Sequence, residues 1–161
     1  MKYRILILLF TITACGGKLS DEQRKKMIEN MELNKLKKVP DAEITETSYE
    51  YGRTIFQVLE SHDKTFSRPA LIDSLQKVYQ VKIQTMTASD SLLHSVEKQL
   101  IEAYTSGAAS GAISDNVQKL GSDSILYTKP IMKDLPDGSI EFVKAIGIRI
   151  SKKTIVLSIK N

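Results

Sequence analysis

The single cysteine of this 161-residue chain, Cys15, constrains the fold more than any other residue. One cysteine permits no internal disulfide, no Cys-x-x-Cys redox pair, no cysteine-based zinc site and no Cys-x-x-Cys-His haem attachment. A domain built from this chain must therefore hold together without an internal disulfide. At 42% hydrophobic and 26% charged residues, the composition supplies one ordinary globular core. The position of Cys15 is equally informative. Met1-Lys2-Tyr3-Arg4 is a short positive segment, and Ile5 to Ala14 is uncharged and mostly apolar. That run is far shorter than the ~20 residues of a membrane span and suits a signal peptide.

The run ends in Ile12-Thr13-Ala14-Cys15, the branched-small-small-Cys pattern of a bacterial lipobox. Small residues let the extended chain enter a peptidase site, and the thiol accepts a diacylglycerol. The expected organisation is a leader over residues 1–14, a lipidated tether and surface helix over 15–40, and one domain over 41–161. Two or three acyl chains anchor stably where a single chain is marginal, at ~0.8 kcal/mol per buried CH₂. Membrane lipid, through acylated Cys15, is thus the expected partner. No Asp follows Cys15, which points to the outer membrane of a Gram-negative bacterium, facing an extracytoplasmic space. Loss of Lys2 and Arg4 with the leader lowers the formal charge of +4 by two. A near-neutral mature chain gives no reason to expect nucleic acid.

Beyond the tether, Ser20 with Gln23 forms a capping-box signature for a helix to about Leu36. Lys35, Lys37 and Lys38 would then complement its C-terminal dipole or, alternatively, touch anionic lipid headgroups. Asp41 is placed to cap a second helix, whose apolar positions Ile44, Thr47, Tyr51, Ile55, Val58 and Leu59 recur at helical spacing to about Ser61. Pro69 opens a third helix with Leu71, Leu75, Val78 and Tyr79 on one face. Residues 81–87 alternate as a strand. Ser89 or Asp90 is placed to cap a fourth helix carrying Leu92, Leu93, His94, Val96, Leu100, Ile101 and Tyr104. Thr105 to Ser114 reads as a Gly/Ala/Ser loop that matches no phosphate-binding pattern. Short strands follow at 116–120 and 123–133, the latter containing Pro130, which argues for an edge or a bulge. Leu135-Pro136-Asp137-Gly138 is a turn, and 140–150 is a strand bent or bulged near Gly147. In the tail from Ser151 to Ile159 the Ser151 cap suggests a short helix and the Ile/Val content suggests a strand. Helices first, then a small antiparallel sheet with an inserted helix, is an α+β pattern.

Chemistry-bearing residues are few. His62 lies beside Asp63 in a polar connection, and His94 lies among Ser91, Ser95 and Glu97. Neither sits in a nucleophile elbow or a metal-ligand spacing. The tyrosines fall at core-facing spacings, as core or pocket walls with hydroxyls at the surface.

Several segments carry a resemblance. They are Asp73-Ser74-Leu75 with Tyr79-Gln80-Val81-Lys82-Ile83, the helix Val96 to Ile101 with Tyr104, the strand Tyr127-Thr128-Lys129-Pro130-Ile131, and Gly147-Ile148-Arg149-Ile150. From about Tyr51 to Asn161 the chain resembles the Tll0287-like (DUF3365) domain family. That family is a PAS-like, c-type-haem-containing group found in periplasmic lipoproteins and ahead of sensor kinases. Its Cys-x-x-Cys-His would follow Ile131, where this chain has Met132 to Gly138. The resemblance therefore implies the PAS-like fold without covalent haem, and no cofactor is expected. The reading is a non-catalytic binding or sensory module, taking a small ligand or an envelope protein partner. A ligand pocket would be lined by His94, Tyr104 and Tyr127. The alternatives are an envelope enzyme using His94 or His62, and a protein that binds haem non-covalently.

Overall fold

The computed structural model describes residues 20–33, 39–107 and 113–159. Cys15 and the residues around it lie outside these, as do residues 34–36 at the expected end of the first helix. The chain divides into two compact units, one up to Lys38 and one from Val39 onward. In the first, α1 (Asp21–Leu33) begins with the expected capping box. The Gln23 N–H donates to Ser20 Oγ at 3.2 Å, and the Ser20 N–H donates to Gln23 Oε1 at 3.1 Å.

The second unit contains α2 (Asp41–His62), α3 (Pro69–Tyr79), β1 (Val81–Met86) and α4 (Ser95–Gly107). These are followed by β2 (Asn116–Leu120), β3 (Ser124–Asp134), β4 (Ile140–Ser151) and α5 (Lys152–Ile159). The strands form one antiparallel sheet in the order β1-β4-β3-β2, so the unit is α+β. The chain leaves one edge at β1, passes through α4 and re-enters at the opposite edge as β2.

Alternation of side chains along the strands sends two sets of residues to two cores. Val81, Ile83, Ile125, Tyr127, Ile146, Ile148 and Ile150 meet Ile44, Ile55, Phe56, Leu59, Leu75 and Ile155 of α2, α3 and α5. Met86, Leu126 and Ala145 point the other way, to Leu93, Leu100, Ile101 and Tyr104. The buried face of α2 includes Ser48 and Gly52 among its large apolar residues. Those small residues bring the helix axis close to the sheet. The buried Ser48 hydroxyl is satisfied by the Ile44 carbonyl at 2.6 Å.

Several expectations are corrected. Asp41 does not cap α2: it is the first helical residue, and its carboxylate pairs with Lys119 at 2.9 Å and Lys152 at 3.7 Å. Lys119 helps pull that carboxylate below the usual range, through their hydrogen bond and then its charge. α4 starts at Ser95, not near Ser89, because Asp90 accepts the Leu92 N–H at 2.9 Å and turns the chain. His94 is therefore a capping residue ahead of the helix: the Lys98 N–H donates to its carbonyl at 2.9 Å. Leu92 and Val78 are not core residues, being 89% and 71% exposed. Gly147 is not bulged, since it pairs regularly with Thr128 and Gln84. The irregularity lies between Ile131 and Met132, where Val143 is the extra residue of β4. Pro130 stands in the interior strand β3, but β2 ends opposite Thr128. Its missing N–H thus falls where β3 is paired on one side only. The tyrosine hydroxyls are not all at the surface: Tyr104 and Tyr127 are buried, and both are bonded inside. α4 also runs through Gly107, shortening the expected loop. The Ser151 cap is present, accepting the Thr154 N–H at 3.0 Å.

α4 is fixed to the sheet by a buried carboxylate. Glu97, 0% exposed, accepts from Arg149 Nε at 3.0 Å and from Arg149 Nη2 at 2.7 and 2.8 Å. It also accepts from Gln84 Nε2 at 2.8 Å and from the His94 N–H at 2.9 Å. Every lone-pair direction of the carboxylate is thus engaged.

The connection from α2 to α3 is organised by a second buried acid. Asp63 accepts from the Thr65 hydroxyl at 2.6 Å and from the N–H groups of Thr65, Ser67 and Arg68 at 2.7–3.0 Å. The Thr65 hydroxyl, followed by the Arg68 and Ser67 N–H groups, holds the Asp63 carboxyl far below the usual range. A depressed folded pKa stabilises the fold above the unfolded value of about 4 and ceases to do so as pH falls through the folded value. Asp63→Asn is expected to lower the urea midpoint at about pH 7, with the deficit shrinking towards about pH 3. A deficit that does not depend on pH would assign the loss to shape instead of charge.

Candidate functional site

The site begins on the outer edge of α2. Tyr49, Arg53 and Gln57 are spaced i, i+4, i+8 and share one face of that helix. The Arg53 guanidinium lies 5.1 Å from the centre of the Tyr49 ring. Across from it, Val117 of β2 pairs with Tyr127 of β3 on the α2 side of the sheet. Asp115, two residues before Val117, is placed on that same side by strand alternation.

Asp115 joins these elements. Its Oδ2 accepts from Arg53 Nε at 2.6 Å, and its Oδ1 accepts from Arg53 Nη2 at 3.1 Å. The Tyr127 hydroxyl donates to Oδ2 at 3.0 Å. The Asp115 side chain is only 9% exposed, whereas that of Arg53 is 54% exposed. The hydrogen bond from Arg53, with help from Tyr127, keeps the Asp115 carboxyl below the usual range. Burial, then the Asp115 charge, pushes the Tyr127 phenol well above its usual value. A bidentate fork of this kind fixes a guanidinium in direction as well as in charge. The outcome is a buried phenol and carboxylate holding a surface arginine in one orientation.

Two grooves flank Arg53. One, of about 630 Å³, runs past Thr45, Glu46, Tyr49 and Glu50. The other, of about 410 Å³, is lined by Arg53, Phe56, Gln57, Glu60, Asp115, Tyr127 and Lys129. Lys129 lies on β3 just past the end of β2 and is half-buried. Its charge acts on Asp115, yet its ammonium makes no hydrogen bond or ion pair among the described residues. A third groove of about 490 Å³ opens beside α4, over Leu93 and Ile101, with Thr87, Ser89, Ser91, Thr105 and Ser106 around it.

The residues expected to form one pocket do not converge. Tyr127 packs with the α2 core and Tyr104 with the α4 core. The Tyr104 hydroxyl lies 2.6 Å from Thr128 Oγ1, and its ring stacks on Phe142 at 6.0 Å. Burial pushes the Tyr104 phenol up. His94 is exposed at the start of α4. His62 ends α2, its Nδ1 2.9 Å from both the Val58 carbonyl and Ser61 Oγ. Among the described residues neither imidazole is bonded to a carboxylate, and no cluster of three His, Cys, Asp or Glu is arranged for a metal. Of the expected pocket residues, only Tyr127 belongs to the Arg53 arrangement. No family model, curated protein or solved structure matches this chain.

Proposed function

We propose that this chain is a bacterial envelope lipoprotein, acylated at Cys15, whose body from Val39 onward is a non-catalytic binding module held at the outer membrane. The observation that carries the reading is the lipobox Ile12-Thr13-Ala14-Cys15, closing a short apolar run behind Lys2 and Arg4. Among the described residues no helix is long and apolar enough to cross a membrane. The body supports binding over chemistry because its buried carboxylates are already engaged. Glu97 is bound by Arg149, and Asp115 by Arg53 and Tyr127. A general acid or base needs a titrating position free to face substrate. We read the body as PAS-like from its sheet order, with α4 carried across between the two edge strands, and as related to the Tll0287-like domains from the sequence resemblance alone.

Radiolabelled palmitate supplied to bacteria expressing the chain tests the anchor. The wild-type protein is expected to take up label and partition with the membrane fraction. Cys15→Ala is expected to lose both, and globomycin is expected to accumulate the unprocessed precursor. Label persisting in Cys15→Ala would overturn the reading.

A further inference from the structure

We infer that the groove between Arg53 and Lys129 is a binding site for the carboxylate of a small organic ligand, which rests on the reading of the body as a binding module. Arg53 supplies the first reason. Asp115 engages its Nε and one N–H of Nη2, leaving the Nη1 donors outside that fork. A surface arginine ordinarily has many rotamers and gains little from a single ion pair. Here the pair is made to a carboxylate that is nine-tenths buried and itself bonded to a buried phenol. The guanidinium is therefore preorganised before any ligand arrives, which lowers the entropic cost of binding an oxyanion.

Lys129 supplies the second and independent reason. It is a half-buried lysine on the same groove whose ammonium has no hydrogen-bond or ion-pair partner among the described residues, although Glu60 also lines the groove. Its stem is half-buried while its ammonium still reaches water, so the charge is held at the groove and open to an incoming anion. Gln57 lies one helical turn beyond Arg53 and lines the same wall.

Charge and shape narrow the class. Arg53 and Lys129 are balanced by Asp115 and Glu60, so the lining is formally neutral. That favours a singly charged carboxylate over a phosphate dianion. A volume of about 410 Å³ and the Phe56 ring beside the polar wall suit a small organic acid.

Titration of the full-length chain, purified in detergent and labelled for amide NMR, tests the site at constant ionic strength. Benzoate is the probe, with benzamide as its neutral counterpart and inorganic phosphate as the competing oxyanion. Benzoate is expected to bind saturably with a Kd of about millimolar order, moving amides near 53–57, 115 and 127–129. Arg53→Gln is expected to weaken it by about tenfold or more. Lys129→Gln, which replaces an ammonium that has no hydrogen-bond partner, is expected to weaken it by about threefold or more with an unchanged fold. Equal binding of benzamide, tighter binding of phosphate, or full benzoate affinity in Lys129→Gln would each overturn the carboxylate assignment while leaving a binding groove. No saturable binding by any of the three would overturn the assignment together with the groove as a binding surface. Acylation at Cys15 is read separately by palmitate.

Discussion

Glu97→Ala is expected to destabilise the protein by about 3–5 kcal/mol, the cost of breaking a buried ion pair from one side. The cost arises less from the lost attraction than from what remains. Arg149 sits between Ile148 and Ile150 on β4, with its side chain 20% exposed. Without Glu97 its guanidinium loses three hydrogen bonds and Gln84 loses one. The backbone N–H of His94 is released as well, so α4 loses its N-terminal attachment. Glu97→Gln keeps the shape and two acceptor directions but removes the charge, so its loss is expected to be smaller. The double variant Glu97→Leu with Arg149→Met replaces both charges by apolar groups, and it is expected to recover most of the stability. Urea unfolding of Glu97→Leu, Arg149→Met and the double variant gives the coupling energy directly. Additive losses would show that the two residues act independently, against the geometry.

The same pair shows what the sequence discloses and what it withholds. Glu97 interrupts the apolar spacing Leu93, Leu100, Ile101, Tyr104, whereas Arg149 alternates with Ile148 and Ile150 and reads as the solvent face of a strand. The charge within the α4 pattern is a legible sign of a buried acid, yet nothing local says that Arg149 is the residue that meets it. They are 52 positions apart and join only because β4 pairs with β1 and α4 crosses behind both. Elements set by local periodicity were legible: α2, α3 and the β3–β4 hairpin follow from apolar spacing, Pro69 and the Leu135 to Gly138 turn. Their boundaries were less so. Asp90 and Ser89 both offer caps, and the choice of His94 as the capping residue depends on the Glu97 carboxylate behind it.

The candidate site was largely illegible for the same reason. Tyr127 was singled out as a pocket wall, but the alternation that seats it with Asp115 requires the β2–β3 register. Arg53 lies on the polar flank of an amphipathic helix, where an arginine is ordinarily solvated. Its partner is 62 positions away. The expected grouping of His94, Tyr104 and Tyr127 fails because Tyr127 and the Thr128 that binds Tyr104 are neighbours on one strand, so they point to opposite faces.

Gly52→Ala is expected to destabilise the protein by about 2 kcal/mol or more, although Gly to Ala inside an exposed helix gains about 1 kcal/mol. The sign is reversed by one contact. A Cβ on residue 52 would lie 2.3 Å from Tyr127 Cγ, 2.6 Å from its Cδ2 and 2.7 Å from its Cβ. Tyr127 cannot turn aside. Its ring is buried in the α2 core, and its hydroxyl is bonded to Asp115. Tyr127→Ala relieves the two ring contacts but leaves the Cβ at 2.7 Å, so in that background Gly52→Ala is expected to cost less without becoming favourable. Gly147→Ala is the matched control. Its Cβ would meet Met86 Cε at 2.9 Å and Sδ at 3.0 Å, the far end of a flexible side chain. That change is expected to cost under about 1 kcal/mol, because the thioether re-seats where a core tyrosine cannot. Thermal and urea unfolding of Gly52→Ala, Gly147→Ala, Tyr127→Ala and the Tyr127→Ala/Gly52→Ala double variant decides the matter. If Gly52→Ala proved as mild as Gly147→Ala, α2 would have to lie further from the sheet than this geometry places it. The fixed seat of Tyr127, and through Asp115 the presentation of Arg53, would then lose its foundation.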